Sequence, residues 1–251
     1  MGYNILGINT SHNGSVCVLK NGKINFFLEE ERVSKKKYDY LPIDLLKIIS
    51  KKYKIDEIVI GGLNLALAEK KDVLYLSLLE LLFPNASISN YQNEHHLCHA
   101  ASSFFNSKFS ECLGVVIDGN GSYINSSKGT KAETESIYKL NYSTPPINIY
   151  KSNRLINVNE PLSLAKVYEC ITESLGFAWI EAGKTMGLSS YGKSNFNIPP
   201  LYLNGKGNSL VFNNRPNSTD GYLKKNYEYL TNLKELQKDL PSKPNHNMKQ
   251  V

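Results

Sequence analysis

Asn21-Gly22 is the dipeptide that most constrains this chain, because it stands between two runs of alternating apolar residues, Val16/Val18 and Ile24/Phe26. Both central positions of a two-residue hairpin turn need φ > 0, which Asn and Gly reach at little cost, so the flanking strands must pair antiparallel. Three strands follow: Tyr3 to Thr10, Ser15 to Lys20 and Ile24 to Glu30. Pro42 then opens a helix through Tyr53, with Leu45, Leu46, Ile48 and Ile49 on one face, since proline is tolerated where its missing donor is not needed. A buried strand, Glu57 to Ile60, ends at Gly61-Gly62, and a helix from Leu67 to Leu82 stops at Phe83-Pro84. A short strand from Ser87 to Asn90 leads into a helix from Glu94 to Asn106, and Cys112 to Ile117 is the next apolar strand.

That order, three antiparallel strands and then alternating helix and strand, predicts an α/β chain with a ribonuclease-H-like core, a meander extended by crossover units. Ser136 to Val158 reads as short strand-like pieces around Pro145-Pro146, followed by a helix from Leu162 to Leu175 with Leu164, Val167, Tyr168 and Ile171 at helical spacing. The last residues differ in composition, with Pro199-Pro200, Gly205, Gly207, Pro216 and Gly221 and one amphipathic helix, Asn226 to Leu240. Residues 1–192 are therefore expected to form one domain and 193–251 a polar, weakly specified segment.

Several function classes are excluded at this stage. The longest apolar stretch, Asp72 to Phe83, is interrupted by Ser77 and Glu80 and is far shorter than the ~20 residues that cross a bilayer. The amino terminus enters a strand without a basic region or small-residue cleavage site, so neither a secretory signal nor a membrane is expected. Cysteines 17, 98, 112 and 170 form no CxxC pair, which argues against a disulfide framework or zinc knuckle and makes the cytoplasm the expected compartment. The formal charge is +6, but of 29 basic residues only Arg32, Arg154 and Arg215 are arginines, the usual base readers. Lysines 35–37, 51–54 and 70–71 read as solvated surface, and no nucleic-acid partner is expected.

The sharpest chemistry lies in Glu94-His95-His96-Leu97-Cys98-His99, which carries three of the five histidines. Residues i and i+4 share a helix face, so His95 and His99 can point two imidazoles at one ion, while His96 points elsewhere. The strand Leu113 to Ile117 ends in Asp118-Gly119-Asn120-Gly121, placing a carboxylate at a strand end beside loops, where open α/β sheets hold ligands. His95, His99 and Asp118 make a facial set suited to Fe(II) or another divalent first-row ion, with open positions for substrate oxygens or water. The alternative is a helix whose histidines only bond to backbone.

Three further segments are weaker alone. Asn9-Thr10-Ser11-His12-Asn13-Gly14-Ser15 is a polar turn whose N–H groups can cradle a phosphate or carbamoyl oxygen, with His12 as base or charge stabiliser. Glu29 to Asp39 passes from acidic to basic, and a lysine there could meet a phosphate as a point charge. Glu181 to Gly192 is glycine-rich with Lys184 but fails the P-loop spacing, leaving another glycine-rich ligand loop open.

Taken in order, Ser11 to Ser15, Glu30 to Asp39, His95 to Ser102, Val116 to Ser122 and Gly183 to Gly192 resemble the motifs of the O-carbamoyltransferases of antibiotic biosynthesis and nodulation-factor modification, relatives of the tRNA threonylcarbamoyl transfer proteins. The resemblance covers about residues 3–192. It implies an actin-like, ribonuclease-H-derived ATPase fold that transfers a carbamoyl group from carbamoyl-adenylate, made from carbamoyl phosphate and ATP, to a small-molecule hydroxyl acceptor. It implies metal ligation by His95, His99 and Asp118, with iron the expected ion, and contacts from His12 and Lys37 to the carbamoyl or phosphate groups. Substrate contacts are implied for Asn13, Gly14, Ser15, Arg32, Gly119, Gly121, Gly183, Lys184 and Gly187. Lys35, Tyr38, Ser122 and Ser189-Ser190 depart from the family's Arg, His, Glu and Ala-Pro. Full members are roughly twice as long, with a late aspartate ligand and an adenylating C-terminal domain, so a truncated cleft and a second polypeptide supplying the missing half are expected. A metal- or nucleotide-binding remnant without turnover is the main alternative, and a 2-His-1-carboxylate oxygenase a lesser one.

Overall fold

The structure, a computed structural model, describes residues 2–62, 69–155, 164–192, 202–204 and 210–212. The chain divides into two compact units, Met1–Ile156 and Asn157–Val251.

The first unit opens with β1 (Asn4–Asn9), β2 (Ser15–Lys20) and β3 (Lys23–Glu29), joined as the Asn21-Gly22 signal demands, with φ of 51° and 73° at the two turn positions. After α1 (Glu31–Ser34) and α2 (Ile43–Lys52), β4 (Glu57–Gly61) returns parallel to β1, with Leu6 opposite Ile58. Helix α3 (Glu69–Leu82) precedes β5 (Ser87–Asn90), parallel to β4, and the strand order is β3-β2-β1-β4-β5. Alternation on β1 and β2 buries Leu6, Ile8, Val16 and Val18 against Leu45, Leu46 and Ile49 of α2 and Leu79 and Phe83 beyond it. The elements expected from Tyr3 to Asn90 match this sheet to within a residue or two at most described ends; the first residues of the expected Leu67 helix lie outside the described residues.

Helix α1 has no counterpart in the sequence expectations, and neither has the role of the residue before it. Glu30 is 2% exposed, and its two carboxylate oxygens accept the N–H groups of Asp44 (2.9 Å) and Leu45 (3.1 Å), capping α2 from another element. Its carbonyl accepts the N–H groups of Val33 and Ser34. One residue therefore serves two helix starts, including that of α2, whose own cap position, Pro42, offers no side-chain acceptor. Glu30→Ala is expected to destabilise the chain by about 2–3 kcal/mol, since charge-assisted bonds to buried donors are lost. Glu30→Gln, which keeps one acceptor oxygen, should lose less; urea unfolding of the two variants measures the difference.

The rest of the first unit is built on a second sheet. Helix α4 (His95–Ser107) leads into β6 (Glu111–Ile117), β7 (Tyr123–Ser126), β8 (Gly129–Asn141) and β9 (Ile147–Leu155). β6 and β7 lie end to end along one edge of β8, and β9 pairs with the other, all antiparallel. Ile117 is opposite Glu135 and Tyr123 opposite Ala132, so residues 118–122 face only Glu133 and Thr134 and bulge out of the ladder. Ala100 and Phe104 of α4 pack on Val116, Tyr138 and Leu140. The short pieces expected between Ser136 and Val158 are in fact two long strands of one hairpin, with Pro145-Pro146 in its turn, where no ladder donor is required.

In the second unit, α5 (Leu164–Ser174) matches the expected helix where it is described, and a 3-10 turn, Trp179–Glu181, leads into α6 (Ala182–Ser189). Thr185 Oγ1 of α6 donates to Thr172 Oγ1 of α5 at 2.9 Å, and both residues are buried. β10 (Tyr202–Asn204) and β11 (Leu210–Phe212) form an antiparallel pair. The helix expected at Asn226 to Leu240 lies outside the described residues. Among the described residues no helix is long and apolar enough to cross a membrane, and Cys17, Cys98 and Cys112 are free thiols.

Candidate metal centre

Helix α4 begins at His95, so His95 and His99 share a face one turn apart, and the bulge after β6 brings Asp118 to them. His95 Nε2 lies 3.0 Å from His99 Nε2 and 3.1 Å from Asp118 Oδ2, and His99 Nε2 lies 3.9 Å from the same carboxylate oxygen. Ligand atoms about 2.1 Å from a common ion and at right angles to one another stand about 3.0 Å apart, so the two separations at His95 are those of neighbouring ligands, while the 3.9 Å between His99 and Asp118 is wider. One ring proton on His95 cannot serve both of its neighbours at full strength, whereas a cation accepts all three lone pairs. Among the described residues the Nδ1 of His95 and the Nε2 of His96 are buried without a hydrogen-bond partner, and neither is one of the three converging atoms. The donor set, two imidazoles and one carboxylate, suits a divalent first-row ion.

The electrostatics keep these groups ready to bind. Burial opposes ionisation of Asp118, but the hydrogen bond from His95, the charges of His95 and His99 and the Gly119 N–H outweigh it and hold its carboxyl below the usual range. Burial, and then His95, pushes His99 below the ordinary imidazole range, against the pull of Asp118. Burial likewise lowers His96, against the pull of Glu133 and Asp118. Since folded His96, fully buried, holds its proton less tightly than unfolded imidazole, its contribution to stability is full above the unfolded value, about 6.5, and is lost as pH falls through it toward the folded value; His99, whose side chain is 53% exposed, adds little because solvent screens it. Asp118 acts in the same direction at lower pH: its contribution is present above the unfolded carboxyl value and lost as pH falls through the folded one. The thermal midpoint of the metal-free chain is expected to be lower at pH 5.5 than at pH 7.5, and an unchanged midpoint would contradict the burial of the His96 ring.

The other sequence candidates fall into four groups. His12 is exposed, with Nδ1 2.9 Å from Asn13 Oδ1, and its charge is near enough to act on His99. Asn13 is left-handed (φ 66°), Gly14 N–H donates to Asp39 O at 2.7 Å, and Ser15 starts β2, so the turn and the segment after Lys37 are tied together. Lys37 itself is exposed, its Nζ 5.2 Å over the Tyr38 ring, and Arg32 makes surface ion pairs with Glu29 and Glu31. Gly119 and Gly121 lie in the bulge, the former donating its N–H to Asp118 Oδ1 at 2.6 Å.

Gly183, Lys184 and Gly187 belong to the second unit, and there the expectation is corrected: they sit in helix α6, not in a glycine-rich loop. Lys184 pairs with Glu181 and lies 5.4 Å over the Phe177 ring. Packing of Thr185 on Thr172 outweighs the glycines' cost in helix propensity, roughly 1 kcal/mol each.

Sequence reasoning missed the buried support beneath the site. His96 is fully buried with Nδ1 2.7 Å from Ser136 Oγ, and Glu133, also fully buried, forms an ion pair with Lys151 of β9. No motif in the sequence marks Lys151 or Glu133; the strand pairing of Ser136 with Lys151 and the ion pair show the lysine reaching inward.

A family model described as "Carbamoyltransferase N-terminus" matches residues 69–240, more than half of the chain. The matched stretch contains His95, His99, Asp118 and Lys184 and begins after His12 and Lys37. The uncharacterized protein MJ1051 of Methanocaldococcus jannaschii is 30% identical over 200 residues, 78% of this chain and 35% of its own length. MJ1058 of the same organism is 35% identical over 116 residues, 45% of this chain and 18% of its own, and sll1178 of Synechocystis sp. is 33% identical over 136 residues, 53% and 18%. The matched stretches thus span between 18% and 35% of the length of these relatives. Three of the five ordered motifs, His95 to Ser102, Val116 to Ser122 and Gly183 to Gly192, fall within the matched stretch, and the chain belongs to the carbamoyltransferase N-terminal family.

Proposed function

We propose that this chain forms the metal-binding, ribonuclease-H-like amino-terminal part of an enzyme that moves a carbamoyl group from carbamoyl-adenylate to a hydroxyl acceptor. The strand order β3-β2-β1-β4-β5, antiparallel and then parallel, supports that fold. The observation that carries the functional reading is the convergence of His95 Nε2, His99 Nε2 and Asp118 Oδ2 at 3.0 to 3.9 Å. A divalent ion there, iron the expected one, would supply Lewis acidity toward a carbamoyl or phosphate oxygen.

The chain's own residues supply binding and proton handling. With Nδ1 donating to Asn13 Oδ1, a neutral His12 leaves its Nε2 lone pair free to take the proton of an acceptor hydroxyl. The bond from Gly14 N–H to Asp39 O and that from Glu30 N–H to Gly14 O hold the His12 turn on its neighbours, so the base is carried on a fixed frame. ATP and carbamoyl phosphate are the proposed substrates, and a region equivalent to the remaining length of the relatives, on this or a second polypeptide, is proposed to complete the ATP cleft.

The test is consumption of carbamoyl phosphate and ATP by the anaerobically purified protein together with the complementary region, with iron measured on the same samples. Turnover that falls by roughly 100-fold or more in His12→Ala, with iron retained, is the expected result for loss of a general base. Iron without consumption, even with the complementary region present, would leave a binding remnant and overturn the catalytic reading.

A further inference from the structure

The three proposed ligands come from two elements, and the HxxxH spacing does not fix how far the Asp118 bulge stands from helix α4. A side chain that is not itself a proposed ligand makes that connection. Glu94, at the cap position of α4, forms no side-chain cap bond. The His95 N–H donates instead to Ser122 Oγ at 3.0 Å, and that hydroxyl donates to Gln92 O at 3.3 Å, so the helix is capped by a residue from the bulge. Ser122 is 1% exposed.

The far side of Ser122 is held as firmly. Its N–H donates to Glu133 Oε2 at 3.0 Å, its carbonyl accepts the Glu133 N–H at 3.1 Å, and Glu133 is ion-paired with Lys151. Beside it, a Cβ on Gly121 would stand 2.5 Å from His96 Nε2 and 2.8 Å from Glu133 Cβ, so only glycine lets the bulge lie against the helix.

We infer that Ser122 is the positioning residue of the metal set: its hydroxyl joins the loop that carries Asp118 to the first residue of the helix that carries His95 and His99. This rests on the metal reading proposed above. Without the hydroxyl, the His95 N–H loses its acceptor, the first turn of α4 is free to fray, and the His95 ring is no longer held against Asp118. Outer-shell partners of this kind typically change metal affinity by roughly 10- to 100-fold.

Co²⁺ titration of the full chain, followed by its visible absorption, tests this on wild type, Ser122→Ala and Ile58→Val. Ile58 is buried in the first sheet, away from the site, and the variant at it reports the effect of a weakened core alone. Expected is binding about 10-fold weaker or more in Ser122→Ala, with an altered Co²⁺ spectrum, and wild-type binding in Ile58→Val. Equal affinity in Ser122→Ala and wild type would overturn the positioning role while the metal reading stands; an equal loss in Ile58→Val would overturn it as general destabilisation. No Co²⁺ binding by wild type would overturn the metal reading itself. Amide exchange on the wild-type chain gives the answer if Ser122→Ala does not fold: Co²⁺ should slow exchange of the His95 N–H, which donates to Ser122 Oγ, about 10-fold or more, and unchanged exchange would overturn the role.

Discussion

Purified with His95→Ala and His99→Ala together, the chain is expected to carry no divalent metal and to show no thermal shift when Co²⁺ or Fe²⁺ is added. The wild type is expected to take up one ion and to gain about 2.7 kcal/mol at a free ion concentration 100 times its dissociation constant, because only the folded state presents the set. The reason lies in the helix period: one turn of α4 brings two imidazole nitrogens to 3.0 Å, and their removal leaves Asp118 as the lone member. Asp118→Ala leaves the two imidazoles in place and should weaken uptake without abolishing it. Elemental analysis of anaerobic samples reads the loss directly, and metal retained by the double variant would overturn the assignment of these ligands.

The second large effect is expected from a single methyl group. A Cβ on Gly14 would overlap the Tyr40 carbonyl and come within 3.0 Å of Asp39 O, and both obstacles are backbone that no rotamer change can move. Gly14→Ala must push the His12 turn off its neighbour and stretch the 2.7 Å bond from Gly14 N–H to Asp39 O. Overpacking and the lost bond together are expected to cost about 3 kcal/mol, read as a lower urea midpoint. Gly187→Ala is the contrast: on helix α6 nothing among the described residues lies within 4 Å of the added carbon, so the change should be neutral or stabilising by up to about 1 kcal/mol. Equal losses in the two variants would contradict the packing at Gly14.

What the sequence made legible is what periodicity and turn chemistry govern. The Asn21-Gly22 turn, the alternation of Val16 and Val18, and the apolar face of α2 all act between near neighbours, and the first sheet follows from them. His95, His99 and Asp118 were legible for the same reason, since helix pitch and a strand end place each of them. The second sheet was harder because β8 buries Glu133, Thr134 and Ser136 beside Ala132, so polar residues stand where a strand pattern calls for apolar ones. Those side chains are satisfied by Lys151, Ser152 and His96, partners that pairing with β9 and packing of α4 supply. Glu30 escaped notice on similar grounds: a glutamate in a charged run looks solvated until α2 presents it with two bare N–H groups. Glycine spacing suggested a loop at Gly183 to Gly192, yet most of that segment is α6, held by a threonine pair that no local propensity reveals.

Gln92, the three proposed ligands, Ser122, Glu133 and Lys151 all fall within one contiguous stretch of the chain, closed by a helix-to-strand turn and two hairpin pairings. The first sheet is different: β1 meets β4 by pairing Ile5 with Glu57 across a crossover that contains α1 and α2. Contacts of low sequence separation lose less chain entropy as they close and generally form faster. The candidate centre is thus encoded as a module of low contact order. A cation available while the chain is being synthesised would meet its ligands on a segment able to organise locally, and the ion would then influence the order of folding as well as the chemistry of the finished protein.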